Sequence, residues 1–351
     1  MDDLQKSEPR LTSLSHGGGC GCKIAPGVLT GLLRGTAMLP VPEALMVGIE
    51  TSDDAAVYRL NDRQALVATT DFFMPIVDDP LDFGRIAATN AISDVYAMGA
   101  TPIMALSLVG MPINTLSPET IARILEGGAM ACRDAGIPIG GGHTIDSVEA
   151  IYGLVALGIV DPGHVKRNCG ARPGDVLILG KPLGVGVMSA ALKKGLLSDR
   201  GYAAMIGATT RLNTPGPDLA RLPDVHAMTD VTGFGLAGHA LEMARGSGCD
   251  LHLDWGAVPF LPEVRTLAGA GHVTGASGRN WASYGADVTL ADPLTPQDRA
   301  LLTDPQTSGG LLVACAPAQA DAVLAIFRDH GFDEAAVIGR AAPGPGRLLV
   351  A

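Results

Sequence analysis

Aromatic side chains are scarce in this 351-residue chain, at 4%. Its core must come from Ala, Val, Leu and Ile, and 46 glycines supply many turns, a balance that suits an α/β protein better than a small β-domain. Basic residues are outnumbered, with 25 Lys and Arg against 36 Asp and Glu, for a net charge of −11. That deficit argues against nucleic acid or an anionic membrane surface as partner. An anionic substrate would need metal ions or a few well-placed cations to enter. Long apolar runs are missing too. Segments such as Ile151 to Val160 are too short to span a bilayer. The acidic start Met1-Asp2-Asp3-Leu4 does not read as a secretory leader, so the expected location is the cytoplasm, with thiols kept reduced. No Walker A sequence occurs. Gly180-Lys181 runs into Pro182, and position 175 is Asp. Gly233-Phe234-Gly235-Leu236-Ala237-Gly238 has dinucleotide-binding spacing, but Asp230 and Thr232 interrupt the segment before it, which argues against NAD.

What is present points to two domains. Hydrophobic residues make up 47% and charged residues 17%, enough apolar surface for more than one core. Strands are expected over 55–60 and 64–70, joined by a turn at Asn61-Asp62, and again over 103–109, 151–160, 176–179 and 311–314. Helices are expected over 26–34, 82–98, 118–135, 184–196, 236–245 and 317–330. Residues 1–22 read as a flexible, glycine-rich segment carrying His16-Gly17-Gly18-Gly19-Cys20-Gly21-Cys22. The turn cluster Gly170 to Asp175 sets the domain boundary, giving domains at 23–170 and 171–351.

A set of aspartates carries most of the chemical signal. Asp53-Asp54 precedes one strand, Asp71 ends another, and Asp230 precedes Val231-Thr232-Gly233-Phe234-Gly235. Asp94 sits four residues after Asn90, so the two share a helix face. Buried carboxylates are costly unless paired, hydrogen-bonded or metal-bound. Singly, each is more simply a cap or turn residue. Together, without a matching run of Lys or Arg, they suit Mg²⁺ and a nucleotide. Cys20-Gly21-Cys22-Lys23 is too tightly spaced for a structural zinc pair or a relaxed disulfide. Its glycines leave both thiols accessible, and Lys23 favours a thiolate, against the blander reading of an incidental exposed pair. Gly140 to Thr144 reads as a loop able to turn N–H groups toward phosphate, or as a plain tight turn, and His143 as a structural hydrogen-bonder. His239 reads as a surface or packing residue, and Cys132, Cys169, Cys249 and Cys315 as small core hydrophobes.

Taken together, Ser15 to Lys23, Asp53 to Tyr58, Thr69 to Pro75, Phe83 to Asp94, Gly141-Gly142-His143, Met228 to Gly235 and Asp304 to Gly310 resemble the selenophosphate synthetase family. Cys-Gly-Cys-Lys is that family's own signature, while several Asp motifs belong to the wider aminoimidazole ribonucleotide synthetase-like superfamily. The resemblance implies an α/β (α+β type) fold of two domains: an N-terminal mixed sheet with helices that forms a homodimer interface, and a C-terminal α/β sandwich. It implies a kinase that converts ATP, selenide and water to selenophosphate, AMP and orthophosphate, with Mg²⁺ in a cleft between domains. By position, Cys20 and Lys23 match the catalytic pair, and Asp54, Asp94 and Asp230 match the metal ligands. Thr51, Ser52, Asp53, Asp71, Gly142, His143 and Thr144 match nucleotide contacts, with Lys23 and Asp94 beside them. Ser52 departs from relatives that carry Arg there, which removes a cation from that contact. Other superfamily enzymes, such as thiamine-monophosphate kinase, lack a reason for the thiol motif. A non-catalytic selenium or metal carrier gives no reason for the aspartates.

Overall fold

A computed structural model of the chain describes residues 8–23, 32, 41–48 and 53–351. The helix expected over 26–34 and the sites Thr51 and Ser52 fall outside these residues, apart from Leu32.

The first sheet contains β1 (Leu45–Val47), β2 (Ala56–Asn61), β3 (Gln64–Phe73), β4 (Thr101–Met111), β5 (Ile139–Asp146) and β6 (Ile151–Val160), with inward and outward side chains alternating most clearly along β3. Their order is β1-β2-β3-β6-β4-β5, and only β4 and β5 run parallel. The helix α1 (Pro80–Ala97) starts at Asp79, whose side chain accepts from the Asp82 N–H. The helix α2 (Pro118–Asp134) starts at Ser117, which accepts from the Thr120 N–H. Both lie on one face of the sheet. Phe83 of α1 packs its ring 6.2 Å from Phe73 and 6.4 Å from Tyr152.

The two helices meet backbone to backbone. A β-carbon at Gly84 would stand 1.9 Å from the Ile124 carbonyl oxygen. Gly84→Ala is therefore expected to destabilise the fold by about 1–3 kcal/mol, the range for overpacking, even though Ala is the better helix former. A urea midpoint equal to or above wild type would contradict this.

The second sheet contains β7 (Val176–Leu179), β8 (Val225–Asp230), β9 (Asp250–Leu253), β10 (Val288–Leu290), β11 (Leu311–Cys315), β12 (Ala336–Ala342) and β13 (Leu348–Val350). Its order is β10-β13-β9-β12-β7-β11-β8. Among its helices are α3 (Val185–Lys193), α4 (Asp199–Thr209), α5 (Gly216–Ala220), α6 (Gly235–Ser247), α7 (Val264–Gly269), α8 (Gly275–Tyr284), α9 (Pro296–Leu302) and α10 (Ala320–Asp329). Among the described residues the strand β8 pairs only with antiparallel β11, so Gly233 to Gly238 opens no βαβ unit there. His239 is buried on α6, and Cys132, Cys249 and Cys315 are core residues, while Cys169 is half-buried. No helix among the described residues is long and apolar enough to cross a membrane.

Two expectations are corrected. Gly140 to Thr144 is not a loop. It lies in β5, because parallel pairing with β4 fixes a glycine run that has no strand preference of its own. Residues 8–22 of the segment expected to be flexible also carry local structure. Leu11–Leu14 and Gly19–Cys22 each form a 3₁₀ turn. Arg10 and Thr12 are tied to Asp78, and His16 to Glu149.

Candidate active site

Strand and helix periods aim one set of polar groups at a single place. Thr69 and Asp71 are two residues apart on β3, on the face covered by α1. Asn90, Ser93 and Asp94 lie three and four apart on α1 and share the stripe facing them. Thr69 Oγ1 donates to Asp94 Oδ2 at 2.5 Å, and Asn90 Nδ2 donates to Asp71 Oδ2 at 2.7 Å. The second sheet supplies the end of β8. Ser93 Oγ donates to Asp230 Oδ2 at 2.5 Å, and Asn213 Nδ2 donates to Ser93 Oγ at 2.7 Å. Thr229 Oγ1 reaches back to Asp54 Oδ1 at 2.8 Å. The cluster thus joins the two sheets.

The glycine segment lies over this cluster. The Cys20 thiol donates to Asn90 Oδ1 at 3.1 Å, and the Cys20 N–H donates to Thr307 Oγ1 at 3.3 Å. Asn90 Oδ1 also accepts from the Ser308 N–H at 2.7 Å. Lys23 Nζ stands 3.7 Å from Asp71 Oδ2. Cys20, Asn90, Asp71 and Lys23 therefore form one chain of contacts. Gly19 takes φ +54°, and a β-carbon there would meet Thr307 Oγ1 at 2.3 Å, so only glycine passes this point.

The thiol differs from its sequence reading. Cys20 is 1% exposed, not accessible. Burial pushes its pKa well up, and the charges of Asp71, Asp230 and Asp94 add to that, outweighing the lowering influence of Lys23. It is a protonated, hydrogen-bonded thiol in this arrangement. The side chain of Cys22 lies outside those described. Asp71 raises the pKa of Lys23 in turn, so that ammonium stays charged.

Burial also raises Asp54, Asp94 and Asp230 above the ordinary carboxylate range. Asp230 adds its repulsion to the first two. One oxygen of Asp54 is buried with no hydrogen-bond partner among the described residues. An all-oxygen donor set with an orphaned oxygen and mutual repulsion fits a hard divalent cation in its chemistry. It is not a closed cage: among the described residues, no three His, Cys, Asp or Glu stand ready to hold a metal ion. Each carboxylate is turned instead onto a hydroxyl, of Thr229, Thr69 or Ser93.

The other expected contacts disperse. Asp53 accepts from the Asn168 N–H at 2.7 Å. Gly142, His143 and Thr144 lie exposed on β5. The register His143–Leu108–Gly153–Phe72 sets β5 three strands from β3, about 14 Å at normal strand spacing. The sequence reading missed Ser93, Thr69, Thr229, Thr307 and Ser308 as partners. It also passed over Lys181, which is buried and donates to the carbonyls of Arg211 and Ser308 at 2.6 and 2.8 Å. Burial lowers its pKa to about 7. Its place after Gly180 was the available signal.

The loop that carries Thr307 begins with a buried acid. Asp304 Oδ2 accepts from the N–H groups of Gly186 and Val187 at 3.0 and 3.2 Å. Burial raises its pKa to about 7, against 3.8 ordinarily. The native state therefore binds the extra proton between those values. The associated stability is complete below pH about 4 and lost as pH rises through about 7. Asp304→Asn keeps an acceptor oxygen and removes that titration. From pH 5 to pH 8 its stability should rise relative to wild type by roughly 2–4 kcal/mol, read from urea midpoints. Parallel curves would contradict the assignment.

The chain matches the model for the AIR synthase related protein, N-terminal domain, over residues 52–160, and that for the C-terminal domain over residues 172–350. A selenide, water dikinase from Burkholderia pseudomallei is 68% identical over 342 residues, covering 97% of each chain. The chain belongs to the selenide, water dikinase family. Another member of that family, from Burkholderia orbicola, is 67% identical over 347 residues, which is 99% of this chain and 98% of that one. Thiamine-monophosphate kinase from Stenotrophomonas maltophilia is similar in structure, with a TM-score of 0.64 over 88% of this chain and 91% of that one. At 22% identity it shows the shared fold, and the family separates this chain from it by function.

Proposed function

We propose that this chain is a selenide, water dikinase, converting ATP, selenide and water to selenophosphate, AMP and orthophosphate. Its product would supply activated selenium for selenocysteine and selenouridine synthesis. The observation that carries the reading is the contact chain from Cys20 through Asn90 and Asp71 to Lys23, seated on Asp94 and Asp230 where the two sheets meet. An anionic selenium nucleophile and a polyanionic triphosphate repel each other in water, so catalysis requires fixed positive charge between them. Lys23 supplies one such charge on the segment that bears Cys20. Asp54, Asp94 and Asp230 would hold Mg²⁺, which offsets phosphate charge when bound. Asp71 would belong with the nucleotide; by resemblance Thr51, Ser52, Asp53, Gly142, His143 and Thr144 would contact it too, although Asp53 and Gly142 to Thr144 stand apart from the cluster. Cys20 would carry or orient selenium while its segment excludes water. Phosphorus NMR with ATP, Mg²⁺ and selenide under anaerobic conditions tests this. The expected result is selenide-dependent AMP and a new P–Se resonance; ATP turnover indifferent to selenide would refute the assignment.

The working unit is a homodimer built on the first sheet. The face of that sheet opposite α1 and α2 keeps large apolar groups exposed, including Phe72 at 51%. Tyr58, Leu60, Ile103 and Ile145 in the same sheet are exposed as well. Such a patch marks a docking face in a protein of this kind. Phe72→Asp should shift sedimentation from dimer to monomer. A wild type that sediments as a monomer would remove the proposal.

A further inference from the structure

The Cys20 thiol points inward, with the charges of Asp71, Asp94 and Asp230 close enough to act on it. Lys23 acts on the thiol against these three acids, so a small anion arriving from that side meets a net negative charge. On the other side of the glycine segment lies a cavity of about 280 Å³, lined in part by Gly17, Gly18, Gly21 and Thr307. Thr307 is the residue whose hydroxyl accepts from the Cys20 N–H. Lys193 and Arg279 line the cavity too, and no Asp or Glu does among the described residues. In a chain with net charge −11 this is a local reversal of sign. Of the acids that touch lining residues or their neighbours, Glu149 is tied to His16, Asp78 to Arg10 and Thr12, and Asp304 to the N–H groups of Gly186 and Val187. Both cations grip the segment itself. Lys193 Nζ donates to the Ser15 carbonyl at 3.3 Å, and Arg279 Nη2 to the Gly21 carbonyl at 3.2 Å.

We propose that this cavity is an anion vestibule, in which Lys193 and Arg279 gather hydrogen selenide and deliver it to Cys20 as the glycine segment shifts. Hydrogen selenide is a monoanion at neutral pH, so two cations in a partly enclosed space raise its local concentration. The same N–H donors hold the segment's carbonyls. An anion that takes those donors releases both clamps, which couples arrival of the substrate to opening of the wall in front of Cys20. The identity of the anion rests on the dikinase reading; the charge geometry stands without it.

The test uses Arg279→Gln, Lys193→Gln and the double variant in the full-length protein. The selenide KM should rise about 10-fold in the double variant while the ATP KM stays at the wild-type value. Equal increases in both would overturn the proposal. A second readout needs no turnover. Alkylation of Cys20 by anionic iodoacetate is compared with that by neutral iodoacetamide, followed by mass spectrometry of the Cys20 peptide. The rate ratio should fall about 10-fold in the double variant. A segment that is merely loosened speeds both reagents alike, and an unchanged ratio overturns the vestibule. With iodoacetate in large excess, so that its loss by alkylating the free anion is negligible, hydrosulfide should protect Cys20 at concentrations where orthophosphate does not; the reverse order would assign the cavity to phosphate and overturn the selenide assignment. If the ratio falls but wild type forms no selenide-dependent AMP, the vestibule stands and the dikinase reading fails.

Discussion

Cys20→Ser should lower selenide-dependent AMP formation by at least about 10³-fold while leaving the protein folded. Serine keeps a donor for Asn90 Oδ1, and the backbone bond from residue 20 to Thr307 is untouched. The cost to stability is small because one sulfur is exchanged for a smaller oxygen in a buried site. What disappears is a soft, polarisable atom able to associate with selenium. Lys23→Ala should abolish turnover as well, for a different reason. It leaves Asp71 without its nearest cation and removes the charge beside the nucleophile. Full activity in either variant, with unchanged circular dichroism, would remove the role assigned to it. Because Cys20 is closed in by its segment, the serine variant should also bind nucleotide as wild type does, separating chemistry from binding.

The parts of this architecture that depend on local pattern were legible in the chain. The strand Ile151–Val160 and the helix Pro80–Ala97 declare themselves by apolar runs and periodic small residues. The aspartates were legible because an acid at the end of an apolar element needs a reason. Asn90 and Asp94 could be placed on one face from spacing alone, and both do enter the site. What escaped depends on distant partners. Glycines before Cys20 suggest freedom, yet its thiol is held by a residue 70 positions away and its backbone N–H by one 287 positions away. Gly140 to Thr144 has no strand propensity, and its conformation comes from β4. The hydroxyls of Thr69, Ser93 and Thr229 carry no motif at all. They matter because three desolvated carboxylates require donors wherever the fold places them.

Those carboxylates set up the last expectation, which reads stability and binding in opposite directions. Asp94 is half-buried, and Asp230 and Asp71 repel its charge. Asp94→Asn keeps an acceptor for Thr69 Oγ1 and removes the charge. In metal-free buffer at alkaline pH the variant should be more stable than wild type by about 1–3 kcal/mol, since a charge disfavoured by desolvation and by two neighbouring acids has been neutralised. The sign follows from titration. A carboxyl whose native pKa is raised loses the stability of its bound proton as pH rises, so the benefit of Asn should grow with rising pH until the native carboxyl has ionised. Mg²⁺ should reverse the ranking. Wild type gains stability from binding, whereas the variant has surrendered a ligand and gains little. Calorimetry should show Mg²⁺-dependent ATP binding weakened by at least about 100-fold, beyond the usual loss for an outer-shell partner. Unchanged affinity would exclude Asp94 from the metal site. A metal-free variant no more stable than wild type would show that the aspartate is not paying for function with fold stability.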